Sequence, residues 1–163
     1  MKHIILDLDN CIADDAWRIQ FIDWPQDNMF RRYHNYHMLA PFDKLRNETL
    51  FANTDYNYWV FTSRPQFYHV TTMQWLIQNG LGDSNVMMRP DNFHGKTVQL
   101  KQIMLEQMLQ HGGVDRKDIV CAYDDRNDII NMYKSLGVRA EQVKIHDINA
   151  HTANIEVPDG KIN

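Results

Sequence analysis

Apolar residues in this chain fall into short unbroken runs separated by longer stretches of helical spacing. The run over 2–8 (Lys-His-Ile-Ile-Leu-Asp-Leu) reads as a buried β-strand. Residues 58–61 (Tyr-Trp-Val-Phe) predict a second strand, 85–88 a third, 119–123 a fourth, and 139–145 a fifth, weaker one. Between them, helical spacing predicts a helix over 66–79, stopped by Asn79-Gly80. A second helix covers 96–110, with Val98, Ile103, Leu105, Met108 and Leu109 as apolar positions and Gly112-Gly113 past its end. A third covers 128–136 and closes at Gly137. Segment 14–37 has a different texture. Trp17, Phe21, Trp24, Phe30, Tyr33 and Tyr36 interleave with Arg18, Arg31, Arg32, His34 and His37. Helical spacing suits 14–23 and 27–38, with a break at Pro25. Residues 42–52 read as one more short helix with Phe42, Leu45, Thr49 and Leu50 inward, and the tail from His146 reads as polar and irregular.

Continuous apolar strands that alternate with helices call for a parallel sheet covered on both faces. With right-handed crossovers this is a doubly wound, Rossmann-like α/β fold. The expected organisation is a single domain over 1–163, with 14–37 as a small helical cap insertion after strand 1. In such sheets the ligand site lies beyond the carboxyl ends of the strands. The polar strand endings here are all carboxyl ends: Asp7 and Asp9, Thr62-Ser63-Arg64, Arg89, and Asp124-Asp125-Arg126. Four groups distant in sequence therefore converge on one rim.

Composition narrows the classes. The net charge of -4 argues against a surface that coats nucleic acid broadly, but leaves room for a local basic pocket. Cys11 and Cys121 are too few for a disulfide framework, which favours a reducing compartment. No apolar stretch reaches the roughly 18 residues of a membrane-spanning helix, and Met-Lys-His runs straight into a strand without room for a signal peptide. The expectation is a cytoplasmic protein without a membrane partner or an obligate protein partner.

Asp7 and Asp9 end a buried strand, where unpaired carboxylates cost several kcal/mol each, on the order of the effective burial penalty per ion. Alternation puts them on one side of the chain, where both can meet one cation. Several carboxylates sharing a rim without a cation would repel and protonate. Oxygen-only ligation favours Mg²⁺ over Zn²⁺. One carboxylate can then attack phosphorus, and a second can protonate the leaving oxygen. Thr62 and a lysine would hold the remaining phosphoryl oxygens, with Lys96 and Lys101 both available. Plainer readings stand beside these. Asp128 suits a helix cap, and Arg64 and Arg89 can each pair with a rim acid for structure alone. Gly95-Lys96-Thr97 resembles the end of a P-loop, but Pro90 stands where its first glycine belongs. The aromatics of 14–37 can stack bases, or can pack as the core of a small cap.

Asp7-Leu8-Asp9, Thr62, a helical lysine and Asp124-Asp125 resemble the four motifs of the haloacid dehalogenase (HAD) superfamily over roughly residues 2–145. The resemblance implies Asp7 as the nucleophile that forms an aspartyl-phosphate and Asp9 as the general acid/base. It implies Mg²⁺ held by Asp7, the backbone carbonyl of Asp9 and Asp124, with Asp125 assisting directly or through water. In finer detail, Thr62-Ser63-Arg64, Arg89, a lysine twelve residues later, Asp124-Asp125-Arg126 and Leu136-Gly137-Val138 resemble 3′-phosphatase domains of phage polynucleotide kinase/phosphatases. That spacing selects Lys101 as the phosphate lysine and places substrate contacts on Ser63, Arg64, Arg89 and Arg126. Asn10 and Cys11 depart from the Gly-Thr usual after the second aspartate. The expected function is a Mg²⁺-dependent phosphomonoesterase acting on nucleic-acid 3′-phosphate ends or nucleotides. A 5′-nucleotidase or small-metabolite phosphatase is the alternative, with a non-catalytic nucleic-acid-binding module behind it.

Overall fold

The computed structural model describes residues 1–147. The chain opens with β1 (Lys2–Leu6) and the two-residue β2 (Ala13–Asp14), and continues through a 3₁₀ turn at Ala16–Phe21 to α1 (Met29–Met38). After β3 (Lys44–Leu45) come β4 (Tyr56–Pro65), α2 (His69–Gln78), β5 (Asn85–Arg89), α3 (Thr97–Gln110), β6 (Ile119–Asp124), α4 (Asn127–Ser135) and β7 (Ala140–Gln142). The main sheet has the order β5-β4-β1-β6-β7, with every neighbouring pair parallel. The fold is α/β, as the alternation of runs predicts.

Side-chain alternation in β1 divides the core in two. Ile5 faces Leu100, Met104 and Met108 of α3 and Ile129, Ile130 and Tyr133 of α4. Ile4 and Leu6 face the opposite layer, with Trp75 and Leu76 of α2. Helices thus cover both faces, and burial on each side supplies the main stabilising term. The segment between β2 and β3 leaves the sheet through their antiparallel ribbon, where Ala13 pairs with Leu45 and Asp14 with Lys44. It carries its own small core of Ile19, Ile22, Tyr33 and Tyr36.

Several local expectations are corrected. The helix over 42–52 is absent: β3 and two 3₁₀ turns stand there, Phe42 is 73% exposed, and Thr49 is exposed. Asn47 breaks the helix with a φ of 54°, and its Nδ2 donates to the carbonyl of Cys11 at 2.8 Å. The helix over 14–23 shrinks to the 3₁₀ turn, and the first turn of 66–79 is also 3₁₀. In α3 the buried face is centred on Leu100, Lys101 and Met104, whereas Ile103 is 39% exposed. β1 stops at Leu6 because the chain curls back at once: the amides of Cys11, Ile12 and Ala13 all donate to the carbonyl of Leu8. β4 runs beyond 58–61 at both ends, and β7 is shorter than 139–145. The part of the tail beyond residue 147 lies outside the described residues.

Gly112 follows α3 where a Cβ would stand 2.5 Å from the carbonyl oxygen of Met108 and 2.8 Å from the Trp59 ring. Gly112→Ala is expected to lower stability by about 1–3 kcal/mol through overpacking. Urea denaturation measures this, and an unchanged midpoint would contradict the tight approach.

Candidate active site

The topology puts β1 beside β6, so Asp7, directly after β1, meets Asp124 at the last position of β6 and Asp125 beyond it. Lys101, fully buried on the inner face of α3, reaches between them. Its Nζ donates to Asp7 Oδ1 at 2.7 Å and to Asp124 Oδ2 at 2.5 Å. Lys96 instead sits exposed at the N-cap of α3. The other oxygen of Asp124 accepts from the backbone N–H of Arg126 at 3.0 Å, and Asp125 Oδ2 accepts from Asn10 Nδ2 at 3.1 Å. Among the described residues no donor reaches the buried Asp7 Oδ2 or Asp125 Oδ1.

Each of these three aspartates offers one oxygen within 4.8 Å of the others. One ammonium therefore faces three buried carboxylates. Burial, then repulsion from Asp124, pushes the Asp7 carboxyl up to about 7 in spite of Lys101. Burial, with Asp7 and Asp124 beside it, raises Asp125 well above the usual carboxylate range. Two uncommitted buried oxygens in an all-oxygen donor set fit a hard divalent cation.

Asp9 takes another path. Its carboxylate does not join the cluster, although alternation puts it on the same side of the chain. Arg64 donates to it through Nε at 3.0 Å and Nη2 at 2.6 Å, and Arg18 through Nη2 at 2.5 Å. Burial alone would raise its pKa, but Arg64 and Arg18 overcome that and hold the carboxyl well below its ordinary range. Arg18 also forks onto Asp43, from Nε at 2.8 Å and Nη2 at 2.7 Å, and its guanidinium lies 4.2 Å from the Tyr36 ring centroid. Two aspartates and two arginines thus form a buried network that balances its own charge.

The remaining expected site residues fall as follows. Thr62 is buried within β4, its Oγ1 accepting from the Arg64 amide at 3.2 Å. Ser63 is buried and its carbonyl accepts from Arg89 Nε at 3.3 Å. Arg89 also donates to the Gly95 carbonyl at 2.8 Å and to Thr97 Oγ1 at 3.2 Å, which shapes the β5–α3 loop. The guanidiniums of Arg64 and Arg89, expected to touch substrate, are engaged within the protein. Arg126 pairs with Asp128 at 2.7 Å on the more exposed edge of the rim.

Sequence reading missed Asp43, which lies inside the segment taken for a helix and carries no local mark of its buried partner. It also missed the work of Asn10. With a φ of 62°, Asn10 accepts the amides of Ile145 and His146 on Oδ1 while its Nδ2 holds Asp125. An asparagine directly after two strand-end acids, in a position suited to left-handed backbone, was the available signal.

A family model described as PITM 1-3, LNS2 domain, matches residues 47–146. No curated protein matches. Two structures of a Pnkp1/Rnl/Hen1 complex, one described as an RNA repair complex, contain similar chains. Their identities are 20% and 19% and their TM-scores 0.63 and 0.66, over 90% of this chain and 43% and 46% of theirs. The chain thus spans less than half the length of those proteins. A Thermotoga maritima protein assigned as a beta-phosphoglucomutase is 15% identical, with a TM-score of 0.58 over 91% of this chain and 88% of that one. A Porphyromonas gingivalis protein assigned as a HAD-like family hydrolase is 11% identical, with a TM-score of 0.53 over 91% and 94%. These similarities show a HAD-like fold.

The two carboxylate environments predict opposite responses to neutralisation. Asp9→Asn is expected to cost about 3–5 kcal/mol, because two buried guanidiniums lose their counter-charge. A carboxyl raised by folding makes the native state bind a proton that the unfolded chain has released. The metal-free protein therefore loses stability as pH rises from about 4, the ordinary carboxylate value, to about 7 for Asp7. Asp125→Asn is expected to stabilise it at pH 8 and to flatten that loss. Denaturant titrations across pH measure both, and the reverse ranking would contradict the assignment of charge.

Proposed function

The chain belongs to the family of the PITM 1-3 LNS2 domain, and we propose that it is a Mg²⁺-dependent phosphomonoester hydrolase working through an aspartyl-phosphate on Asp7. The observation that carries this reading is the buried trio of Asp7, Asp124 and Asp125 with two uncommitted oxygens, crossed by the single Lys101. The trio would hold Mg²⁺, joined by the backbone carbonyl of Asp9. When bound, the ion lowers the repulsion between an anionic phosphate and the carboxylates and favours ionised Asp7.

The chain's own groups supply the rest. The Asp7 carboxylate attacks phosphorus, the bond to the leaving oxygen breaks, and that oxygen takes a proton. Water then attacks the phosphorus of the aspartyl-phosphate and releases inorganic phosphate with Asp7 restored. Lys101 sits where it neutralises charge on the transferring group, and Thr62, with the neighbouring Ser63, offers a hydroxyl to its oxygens. Asp9 is the proton donor to the leaving group and the base toward water in this scheme. Held as an ion by Arg18 and Arg64, it must leave that pair to carry a proton. Arg126, on the open edge of the rim, is the basic residue best exposed to meet the remainder of the substrate.

The spacing of Thr62-Ser63-Arg64, Arg89, Lys101 and Asp124-Asp125-Arg126 supports a nucleotide or nucleic-acid 3′-phosphate as substrate. The fold shared with a chain of an RNA repair complex supports the same choice. A reducing cytoplasm belongs to the same proposal. Among the described residues no helix is long and apolar enough to cross a membrane.

Asp7→Asn is expected to abolish turnover, by at least a thousandfold, with an unchanged circular dichroism spectrum. Chelation of Mg²⁺ is expected to stop the wild-type enzyme, and 3′-phosphorylated oligonucleotides are expected to be hydrolysed faster than free nucleoside 5′-phosphates. Full activity of the Asp7 variant or of the chelated protein would contradict the mechanism. A preference for 5′-phosphates would move the assignment to a nucleotidase.

A further inference from the structure

One cavity beside the rim is not used by the phosphate chemistry. It measures about 440 Å³ and lies between the start of α1, the turn after β4 and the β5–α3 loop. Phe30, Phe67, Tyr68 and Phe93 line it, with Arg89 and His37 on its wall.

Its position ties it to the candidate active site. Arg89 donates to the carbonyl of Ser63, next to Thr62. His37 packs at a tilt against Tyr68, 4.7 Å between ring centroids, and is close enough to Asp9 to help hold its carboxyl low. The cavity thus lies on the β4–β5 side of the rim, beside the strand ends that carry Ser63 and Arg89.

Its chemistry selects an occupant. Phe30 and Phe67 meet edge to face at 4.9 Å, and Phe30 lies parallel to Tyr68 at 6.0 Å. Phe67 is 60% exposed and Phe30 47%, so both rings keep surface for a further partner. The Arg89 guanidinium lies 5.4 Å from the Phe93 ring centroid, and together they make a flat cationic platform. At the mouth stands Asp91, whose carboxylate accepts the Phe67 amide at 2.9 Å. A negative group there repels a second phosphate or an acidic metabolite and accepts hydrogen bonds from an amino group. Flat, apolar-faced, uncharged and edged with donors describes a nucleobase, and the volume suits one base.

We propose that this cavity is a base-binding subsite that takes the single unpaired nucleobase of the nucleotide whose phosphate meets Asp7. The inference rests on the phosphatase reading and adds the feature that selects its substrate. Segment 14–37 contributes Phe30, Tyr33 and His37 to the lining, of which Phe30 is the exposed ring. Tyr33 and Tyr36 also form that segment's own buried core.

The test compares kcat/KM for a 3′-phosphorylated dinucleotide with that for the same compound carrying an abasic terminal sugar, and uses acetyl phosphate as a base-free reference. Wild type is expected to favour the base-containing compound by about tenfold or more, the scale of one base stacked on an aromatic platform. Phe67→Ala and Phe30→Ala are expected to erase that preference and leave acetyl phosphate hydrolysis unchanged. Equal rates on the two dinucleotides in wild type, or a preference that survives both substitutions, would overturn the subsite. If no phosphate ester or acetyl phosphate is hydrolysed, the phosphatase reading fails by itself. Calorimetric binding of a nucleoside 3′-monophosphate then decides the cavity: binding lost in Phe67→Ala supports it, and no binding to wild type overturns it.

Discussion

One ammonium stands among three buried carboxylates, and the arrangement of the rim follows from that imbalance. Lys101 can neutralise only part of the charge that Asp7, Asp124 and Asp125 bring together. Burial raises the cost of the remainder, since like charges in a low-dielectric setting repel over distances that water would screen. Two ways out remain: protons on Asp7 and Asp125, or a hard cation at the oxygens that no donor among the described residues reaches. A site tuned for folding alone would have paired these oxygens, as the molecule does a few residues away.

That contrast is built into Asp7-Leu8-Asp9. Asp9 meets Arg18 and Arg64, and Asp43 completes a network of matched charge. The same sheet rim thus holds a balanced network and an unbalanced one, separated by one residue of sequence. Arg64 comes from the end of β4, Arg18 and Asp43 from the segment between β2 and β3, so the balanced network fastens that segment to the sheet. The unbalanced cluster draws on β1, β6 and α3 alone. The family match over 47–146 takes in Thr62, Lys101, Asp124 and Asp125, while Asp7 and Asp9 lie before it.

Much of this was legible in the sequence because strand identity and strand ends are local signals. Unbroken apolar runs mark parallel strands, and acids at their carboxyl ends have no packing reason to be there, so the convergence of Asp7 with Asp124 and Asp125 follows from topology. Lys101 required its spacing from Arg89, since an inward lysine on an amphipathic helix looks like any solvated one. A structural pairing of Arg64 with a rim acid was legible, and Asp9 is that acid; the second partner, Arg18, was not, since alternation gives a side of the chain but does not name what waits there. Asp43 was hidden twice, by its place in a segment with helical spacing and by a partner 25 residues away. That segment fails as a helix because the left-handed Asn47 interrupts it, and because the Asp43 carbonyl is taken by the Trp75 indole at 2.9 Å. Tertiary demands there outweigh local propensity.

The most direct test is anomalous diffraction from crystals grown with Mn²⁺, an ion of similar ligand preference to Mg²⁺. The account predicts one strong peak bound by carboxylate oxygens of Asp7, Asp124 and Asp125, and its loss in Asp125→Ala. Saturating Mn²⁺ with no peak between those three side chains, or with the ion bound at Asp9 and Asp43 instead, would contradict it.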